Sequence, residues 1–408
     1  MTNLPRDWEV KKLGDIAEIS SGGTPSRNKK EYWENGIIPW VKIKDIKENF
    51  ISTTEEFITE DGLKNSSAKL FKKGTLLYSI FATLGEVAIL DIDATTNQAI
   101  AGINIKENNT NSLYLMYFLK SIKDKICSKG RGVAQNNLNL SILKQIQIPL
   151  PPLKEQERIV GILDESFAKI DESIKILEQD LLNLDELMQS AMQKAFNPLK
   201  DNTKENYKLP QGWEWKSLGE ICFITDGTHK TPNYIKTGIP FLSVKNISKG
   251  FFDLSDIKYI SLEEHNKLIK RAKPEFGDIL ICRIGTLGKA IKISLDFEFS
   301  IFVSLGLLKP KIKIISDYLV YFLNSYFIEG WIDNNKVGGG THTAKLNLNI
   351  LEKCPIALPS LKEQEQIVSY LDELSLNIKD LKQNYQMQIK NLQELKKSLL
   401  DKAFQGRL

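Results

Sequence analysis

The sequence predicts an α+β chain. Two similar mixed α/β domains are separated by two long antiparallel coiled-coil helices, with a pseudo-twofold internal duplication. Three observations carry this prediction. First, Leu153-Lys154-Glu155-Gln156-Glu157 returns as Leu361-Lys362-Glu363-Gln364-Glu365, and Lys194-Ala195-Phe196 returns as Lys402-Ala403-Phe404. Second, Leu4-Pro5, Trp8-Glu9 and Leu13-Gly14 recur as Leu209-Pro210, Trp213-Glu214 and Leu218-Gly219. A long period used only twice marks a duplicated domain pair, because a solenoid needs three or more short units. Third, from Leu163 the apolar residues fall in a 4-3 alternation through Phe167, Ile170, Ile174, Leu177, Leu181, Leu184, Met188, Ala191 and Ala195. That spacing is the seam of a coiled coil.

Within each copy, Ile37 to Ile43 reads as a half-buried strand after the turn pair Asn35-Gly36, with Ile239 to Val244 as its counterpart. Leu76 to Ile80 and Ile279 to Ile284 form a second strand pair, each leading to Thr-Leu-Gly. Ser112 to Ile126 and Ile315 to Phe327 read as short helices rich in Leu, Tyr and Phe. In the second long helix one heptad column persists as Leu371, Ile378, Tyr385, Leu392 and Leu399. Its other column weakens at Ser375, Lys382 and Lys396, and Leu374, Leu381 and Leu395 offer a stripe on the neighbouring flank instead. Two ordinary core helices would give a similar pattern; the length of the first helix favours a coil. At 1.5 Å per residue that rod is roughly 64 Å long. If a pseudo-twofold relates the copies, the second helix runs back towards the first domain and brings the C-terminus near the N-terminus. The polar stretch from Pro198 reads as a linker.

The 408 residues suffice for two to four domains, and a net charge of +4 permits an acidic partner without demanding one. Cys127, Cys222, Cys282 and Cys354 are scattered, which favours free thiols in a reducing compartment. A polar start without a signal peptide, and no apolar run long enough for a bilayer, point to a cytoplasmic protein without a membrane partner.

No catalytic constellation is legible. There is no phosphate-cradling Gly-rich loop with Lys-Ser/Thr, no G-x-S-x-G elbow, and no metal-like spacing among His229, His265 and His342. No cofactor or metal is expected. What remains is binding chemistry. The loop Ser20 to Lys30 offers Thr24, Ser26, Arg27, Lys29 and Lys30; its counterpart offers Thr228, His229 and Lys230. A second loop offers Lys129, Arg131, Gln135 and Asn136, matched by Lys336, His342 and Thr343. Lys42, Lys245 and Arg283 join them from the strand segments. Small residues allow close backbone approach to a phosphate; Arg and Lys supply charge; Arg, Lys, Gln and Asn can pair with base edges. Each loop, read alone, is more often a solvated surface turn; two such loops, each repeated in the second copy, bring the binding reading level with it.

Both copies carry an L-N-L segment, Leu138-Asn139-Leu140 and Leu346-Asn347-Leu348. A Pro-rich turn then leads into L-K-E-Q and onward to Ile159-Val160 and Ile367-Val368, and a long coil ends in K-A-F. This order resembles the specificity subunit of type I restriction-modification enzymes. The second copy departs at Ala357 and Ser360, which loosens the turn but leaves the helix start intact. The resemblance implies target recognition domains over 1–152 and 209–358, spacer helices over 153–197 and 359–408, and a linker over 198–208. It implies a non-catalytic subunit reading an asymmetric bipartite site in double-stranded DNA. Partners would be methyltransferase (modification) subunits, two per chain, and restriction subunits through the complex. Two alternatives stand beside it. One is a non-DNA scaffold with two protein-binding modules on a coiled-coil rod. The other is the recognition half of a fused methyltransferase-nuclease, disfavoured by a start at Met1 without a catalytic domain.

Overall fold

Leu76–Ser79 and Val87–Leu90 are buried at every position, so their strands need apolar neighbours on both faces. A computed structural model shows how they are covered. It describes residues 4–106, 108–130, 138–196, 209, 211–339 and 344–408, the side chains of 128–130 excepted. These residues form two units, 1–177 with 386–408, and 178–385.

In the first unit a five-stranded sheet runs in the order Ala17–Ser21, Ile100–Ile105, Leu76–Ser79, Val87–Leu90, Phe50–Ile51. Its pairings are antiparallel except the last. A four-stranded sheet runs Glu56–Ile58, Ile38–Val41, Ala94–Thr96, Leu70–Phe71, with its central pair parallel. Glu9–Lys12 pairs with Gln147–Leu150, tying the start of the chain to the strand before the long helix. The second unit has the same plan. One sheet runs Cys222–Asp226, Leu305–Pro310, Ile279–Cys282, Ala290–Lys292, and another runs Lys258–Ile260, Ile239–Leu242, Ser300–Ile301. Glu214–Ser217 pairs with Pro355–Leu358. After each buried strand the Thr-Leu-Gly turn uses the left-handed region twice, at Ala82 and Gly85 and at Gly285 and Gly288. Ala82 accepts a conformation that normally favours glycine.

The long helices are Leu153–Phe196 and Leu361–Ala403. Each begins with a glutamine that the sequence reading left without a role. Gln156 is buried, accepts the Asn111 N–H at 2.8 Å, and donates to Asn109 O at 2.9 Å and Pro151 O at 2.8 Å. Gln364 repeats this, accepting from Ile315 N at 3.0 Å and donating to Pro359 O at 3.0 Å. Where the first copy has Pro152, Ser360 builds a capping box with Glu363, its hydroxyl donating to the carboxylate at 2.7 Å. The departure from the first copy's turn therefore replaces one helix-start device with another.

The K-A-F ends dock away from their own copy. Phe404 packs edge-on against Tyr114 and Phe118 in the first unit, at 5.2 and 5.4 Å between ring centres. Phe196 does the same against Tyr318 and Phe322 in the second, at 5.7 and 5.2 Å. A side chain at Gly406 would strike Pro5, so the C-terminus does lie against the N-terminal segment.

Within each unit the helices pair antiparallel. In the first, Arg158 donates to Leu408 O at 3.0 Å while Lys396 meets Asp171 at 2.6 Å, so ascent along one helix is descent along the other. In the second, Lys382 pairs with Asp185. The seam of the first helix is buried or half-buried from Leu163 to Ala195. In the second helix the flanking stripe does not take over the weak column, because Leu381 and Leu395 are exposed. Lys382 and Lys396 hold that column themselves. Their stems are half-buried and their ammonium groups reach aspartates, with Lys396 also 4.9 Å from the Phe167 ring. Among the described residues no helix is long and apolar enough to cross a membrane.

Candidate nucleic-acid interface

In both units the first strand of the larger sheet runs out into the loop that carries the proposed contacts. In the first unit Trp33 and Trp40 pin this loop through Nε1, donating to Ser26 O at 3.1 Å and Gly23 O at 3.0 Å. Gly22 and Gly23 are needed for the chain's own packing, since a Cβ there would strike Thr96 and Ser67. Their smallness therefore does not create room for a phosphate, which corrects the reading from sequence.

Arg27 lies over the Trp33 ring at 3.6 Å, with Trp40 at 4.7 Å, and donates to Glu56 at 2.6 Å. Lys42 reaches the same Glu56. Burial pushes the Glu56 carboxyl up, but the bonds from Lys42 and Arg27 outweigh it and hold the group below the usual carboxylate range. Lys29 donates to the Tyr32 hydroxyl at 3.0 Å, a contact that raises its pKa. Lys30 is the most exposed cation of the loop and sits 3.8 Å from Glu34. Thr24 donates to Gln98, and Ser26 is exposed.

The second unit uses different chemistry on the same frame. Asp226, at the end of Cys222–Asp226, is buried. Its carboxylate receives the buried Arg283 guanidinium and the half-exposed Arg271, and His229 Nε2 lies 3.1 Å away. Burial would raise the Asp226 pKa; the two arginines outweigh it and keep the group an anion. Arg283 is 7 % exposed and also donates to Leu346 O at 3.0 Å. It does not belong with the surface contacts: its charge is consumed inside the fold. Arg271 takes its place as an exposed cation that sequence reasoning missed. Thr228 donates to Lys230 O at 3.1 Å and accepts Lys230 N–H at 3.2 Å, which fixes the tip of the loop and leaves the Lys230 side chain exposed. Lys245 is exposed on the turn Val244–Asn246.

The second proposed loop is less visible. Lys336 follows the helix Tyr326–Asn335, is exposed, and pairs with Asp333 at 2.7 Å. Lys129 lies on the helix Lys123–Gly130, its side chain outside the description. Arg131, Gln135, Asn136, His342 and Thr343 lie outside the described residues.

Among the described residues no cluster of His, Cys, Asp and Glu could hold a metal ion. The four cysteines are free, and burial raises the thiols of Cys222, Cys282 and Cys354 to about 12.

The model of the type I restriction modification DNA specificity domain matches residues 5–181 and again 210–391. The chain belongs to that family. It is a specificity subunit with two such domains in tandem, and the repeat seen in the sequence is this doubling. Similar chains span its whole length. The MjaIX type I specificity subunit of Methanocaldococcus jannaschii is 29% identical, covering 99% of this chain and 94% of its own. The EcoBI specificity subunit of Escherichia coli is 27% identical, covering 100% and 88%. In three dimensions the fold matches a chain from a structure on complex assembly and conformational transition of the type I R-M system. The TM-score is 0.79 at 23% identity, with both chains fully covered. It also matches the HsdS subunit from Thermoanaerobacter tengcongensis, with a TM-score of 0.60 at 23% identity, covering 99% and 98%.

Proposed function

We propose that this specificity subunit reads an asymmetric, bipartite target in double-stranded DNA, one half per repeat, and performs no chemistry itself. Residues 1–152 and 209–358 act as the reading domains, and 153–197 and 359–408 as spacers joined by a linker over 198–208. The spacers carry the docking surfaces for two modification subunits, and restriction subunits join through that complex. The setting is the cytoplasm, where the target DNA lies.

One observation carries this reading. In both repeats exposed cations follow the first strand of the larger sheet, on loops held by matching backbone bonds, while the side chains differ. Gly23 N donates to Thr96 O in one unit, and Thr228 N to Ile301 O in the other. A common frame with unlike side chains suits one partner type with two unlike sequences. Arg27, Lys29, Lys30 and Lys42 would serve the first half-site, with Thr24 and Ser26 beside them. His229, Lys230 and Lys245, with Thr228, would serve the second. Lys129, Arg131, Gln135 and Asn136, and Lys336, His342 and Thr343, would add a second loop to each.

The test is to map methylated bases in host DNA with and without this gene, and to purify the tagged chain. A split methylated motif that vanishes with the gene, and co-purification of a methyltransferase, are expected. A non-DNA scaffold would leave methylation unchanged.

A further inference from the structure

The end of the first strand is the same place in both repeats, and ladder register makes the comparison residue by residue. Ser21 faces Ala101, and Asp226 faces Gly306. Ile80 N donates to Ala99 O, and its own carbonyl accepts Leu138 N–H; Arg283 N donates to Ser304 O, and its carbonyl accepts Leu346 N–H. The sequences Ser67-Ala68-Lys69 and Arg271-Ala272-Lys273 follow equivalent helices, with both alanines buried. Three residues separate Thr96 from Ile100, and three separate Ile301 from Leu305, which places Gln98 where Val303 stands.

One repeat therefore carries Ser21, Thr24, Ser67, Ile80 and Gln98 at this place. The other carries Asp226, His229, Arg271, Arg283 and Val303. The first set is uncharged. The second is a buried anion holding two guanidinium groups. The fold does not require the charges, because the uncharged set supports the same strands and turns.

We propose that this strand end is a base-reading position and that Arg271 reads a guanine there. This rests on the DNA-recognition reading above. Two arguments separate a base from a phosphate. Phosphates are alike at both half-sites, so a contact to them does not need different chemistry in the two repeats. A group that changes on a constant frame is suited to carrying sequence information. Arg271 is also held as a reader should be. Its Nε donates to Asp226 Oδ1 and Asp226 O, both at 3.2 Å, and Nη2 bonds Oδ1 as well. Nη1 has no partner among the described residues, and the side chain is 55% exposed. A guanidinium fixed along one edge, with donors left on another, matches the paired acceptors O6 and N7 of guanine. His229, 3.5 Å from Arg271 Nη2, closes the other flank of the carboxylate.

The experiment uses the complete methyltransferase complex and compares Arg271→Ala and Arg271→Lys with the unaltered chain, scoring methylation over a degenerate duplex library. Removing Arg271 leaves Asp226 paired with buried Arg283, so the fold keeps its internal ion pair. Arg271→Ala is expected to lose preference for guanine at one position of one half-site, by roughly 5- to 150-fold, and Arg271→Lys, which keeps a donor but not the fixed fork, to lose part of it. The remaining positions of that half, and the whole other half, should be unchanged. Arg271→Lys should keep the salt dependence of binding, because it keeps the charge. A uniform loss over all sequences with a shallower salt slope for Arg271→Ala would make Arg271 a phosphate contact and overturn the proposal. An unaltered motif in both variants would overturn it too. If the unaltered complex shows no sequence preference at all, the DNA-recognition reading itself falls.

Discussion

The side chain of Gln156 binds the backbone N–H of Asn111 across a sequence gap of 45 residues, at 2.8 Å and without contact to solvent. Together with its bonds to Asn109 O and Pro151 O, this welds the start of the first long helix to the N-cap of the aromatic helix Ser112–Ser121. Gln364 makes the corresponding joint to Ile315 in the second unit. The repeated Glu-Gln of the helix start is thus a structural clasp.

Replacing Gln156 by Ala should strand the buried Pro151 carbonyl and free the half-buried Asn111 N–H and the exposed Asn109 carbonyl. Leaving one buried polar group unsatisfied costs about 1–3 kcal/mol. Gln156→Ala should therefore lower the stability of the first unit by about that range, and Gln364→Ala that of the second. Denaturant unfolding measures both. A loss below about 0.5 kcal/mol, the low end for a single net hydrogen bond, would mean that water replaces the amide.

The clasp shows where sequence reading reached and where it stopped. The repeat, the helix spans and the return of the C-terminus to the N-terminal segment followed from patterns at fixed spacing, whereas the docking of Phe196 and Phe404 on the aromatic helices was visible only in the fold. Leu163 and Leu371 are fully buried because a 4-3 alternation leaves them no alternative. The site was harder. Arg271 and Asp226 are distant in sequence and meet only through the folded sheet, and no spacing rule connects them. Arg283 looked like a surface cation because a strand end often is one; its burial depends on Asp226. Lys382 and Lys396 looked like breaks in a seam, yet they complete it through aspartates on the opposing helix. In each case the deciding partner was remote, and a single sequence does not mark remote partners.

Acid should loosen the second unit at the Asp226 cluster. Asp226 has a folded pKa below its ordinary value, which in an unfolded chain is about 3.9. A depressed carboxylate contributes stability that is fully present above the unfolded pKa and is lost as pH falls through the folded one. The contribution should hold above about pH 5 and fade below about pH 4. Asp226→Asn should remove this part of the acid sensitivity while lowering stability near neutrality, because it leaves Arg283 buried against a neutral amide. Thermal melts of both chains between pH 3 and 7 compare the two slopes. Parallel curves would mean that other carboxylates set the acid limit.

The first-unit cations should appear in the salt dependence of DNA binding. Each phosphate contact removed is expected to reduce the slope of log affinity against log salt by about 0.9. The double variant Arg27→Ala, Lys29→Ala should weaken binding and flatten that slope by up to about 1.8. Arg27 stacks on Trp33, so Arg27→Lys separates stacking from charge. It should keep the slope while the Trp33 and Trp40 bonds to Ser26 O and Gly23 O still hold the loop. Binding titrations of the assembled complex over a range of salt concentrations provide the measurement, and an unchanged slope in the double variant would remove these residues from the interface.

The two interhelical ion pairs set the terms of a ruler test. Asp171 and Asp185 stand two heptads apart on one helix, and Lys382 and Lys396 stand two heptads apart on the other. One heptad inserted into each helix, between 171 and 185 and between 382 and 396, keeps every seam residue facing inward and leaves both ion pairs intact. Each helix then grows by roughly 10 Å at 1.5 Å per residue. At about 3.4 Å per base step this admits at most about three extra base pairs between the half-sites. The bases within each half-site should stay as they were, because the reading loops lie outside the inserted segments. Methylation mapping of the lengthened subunit in its complex shows the gap directly. An unchanged gap, or altered half-site bases, would show that the helices do not set the spacing.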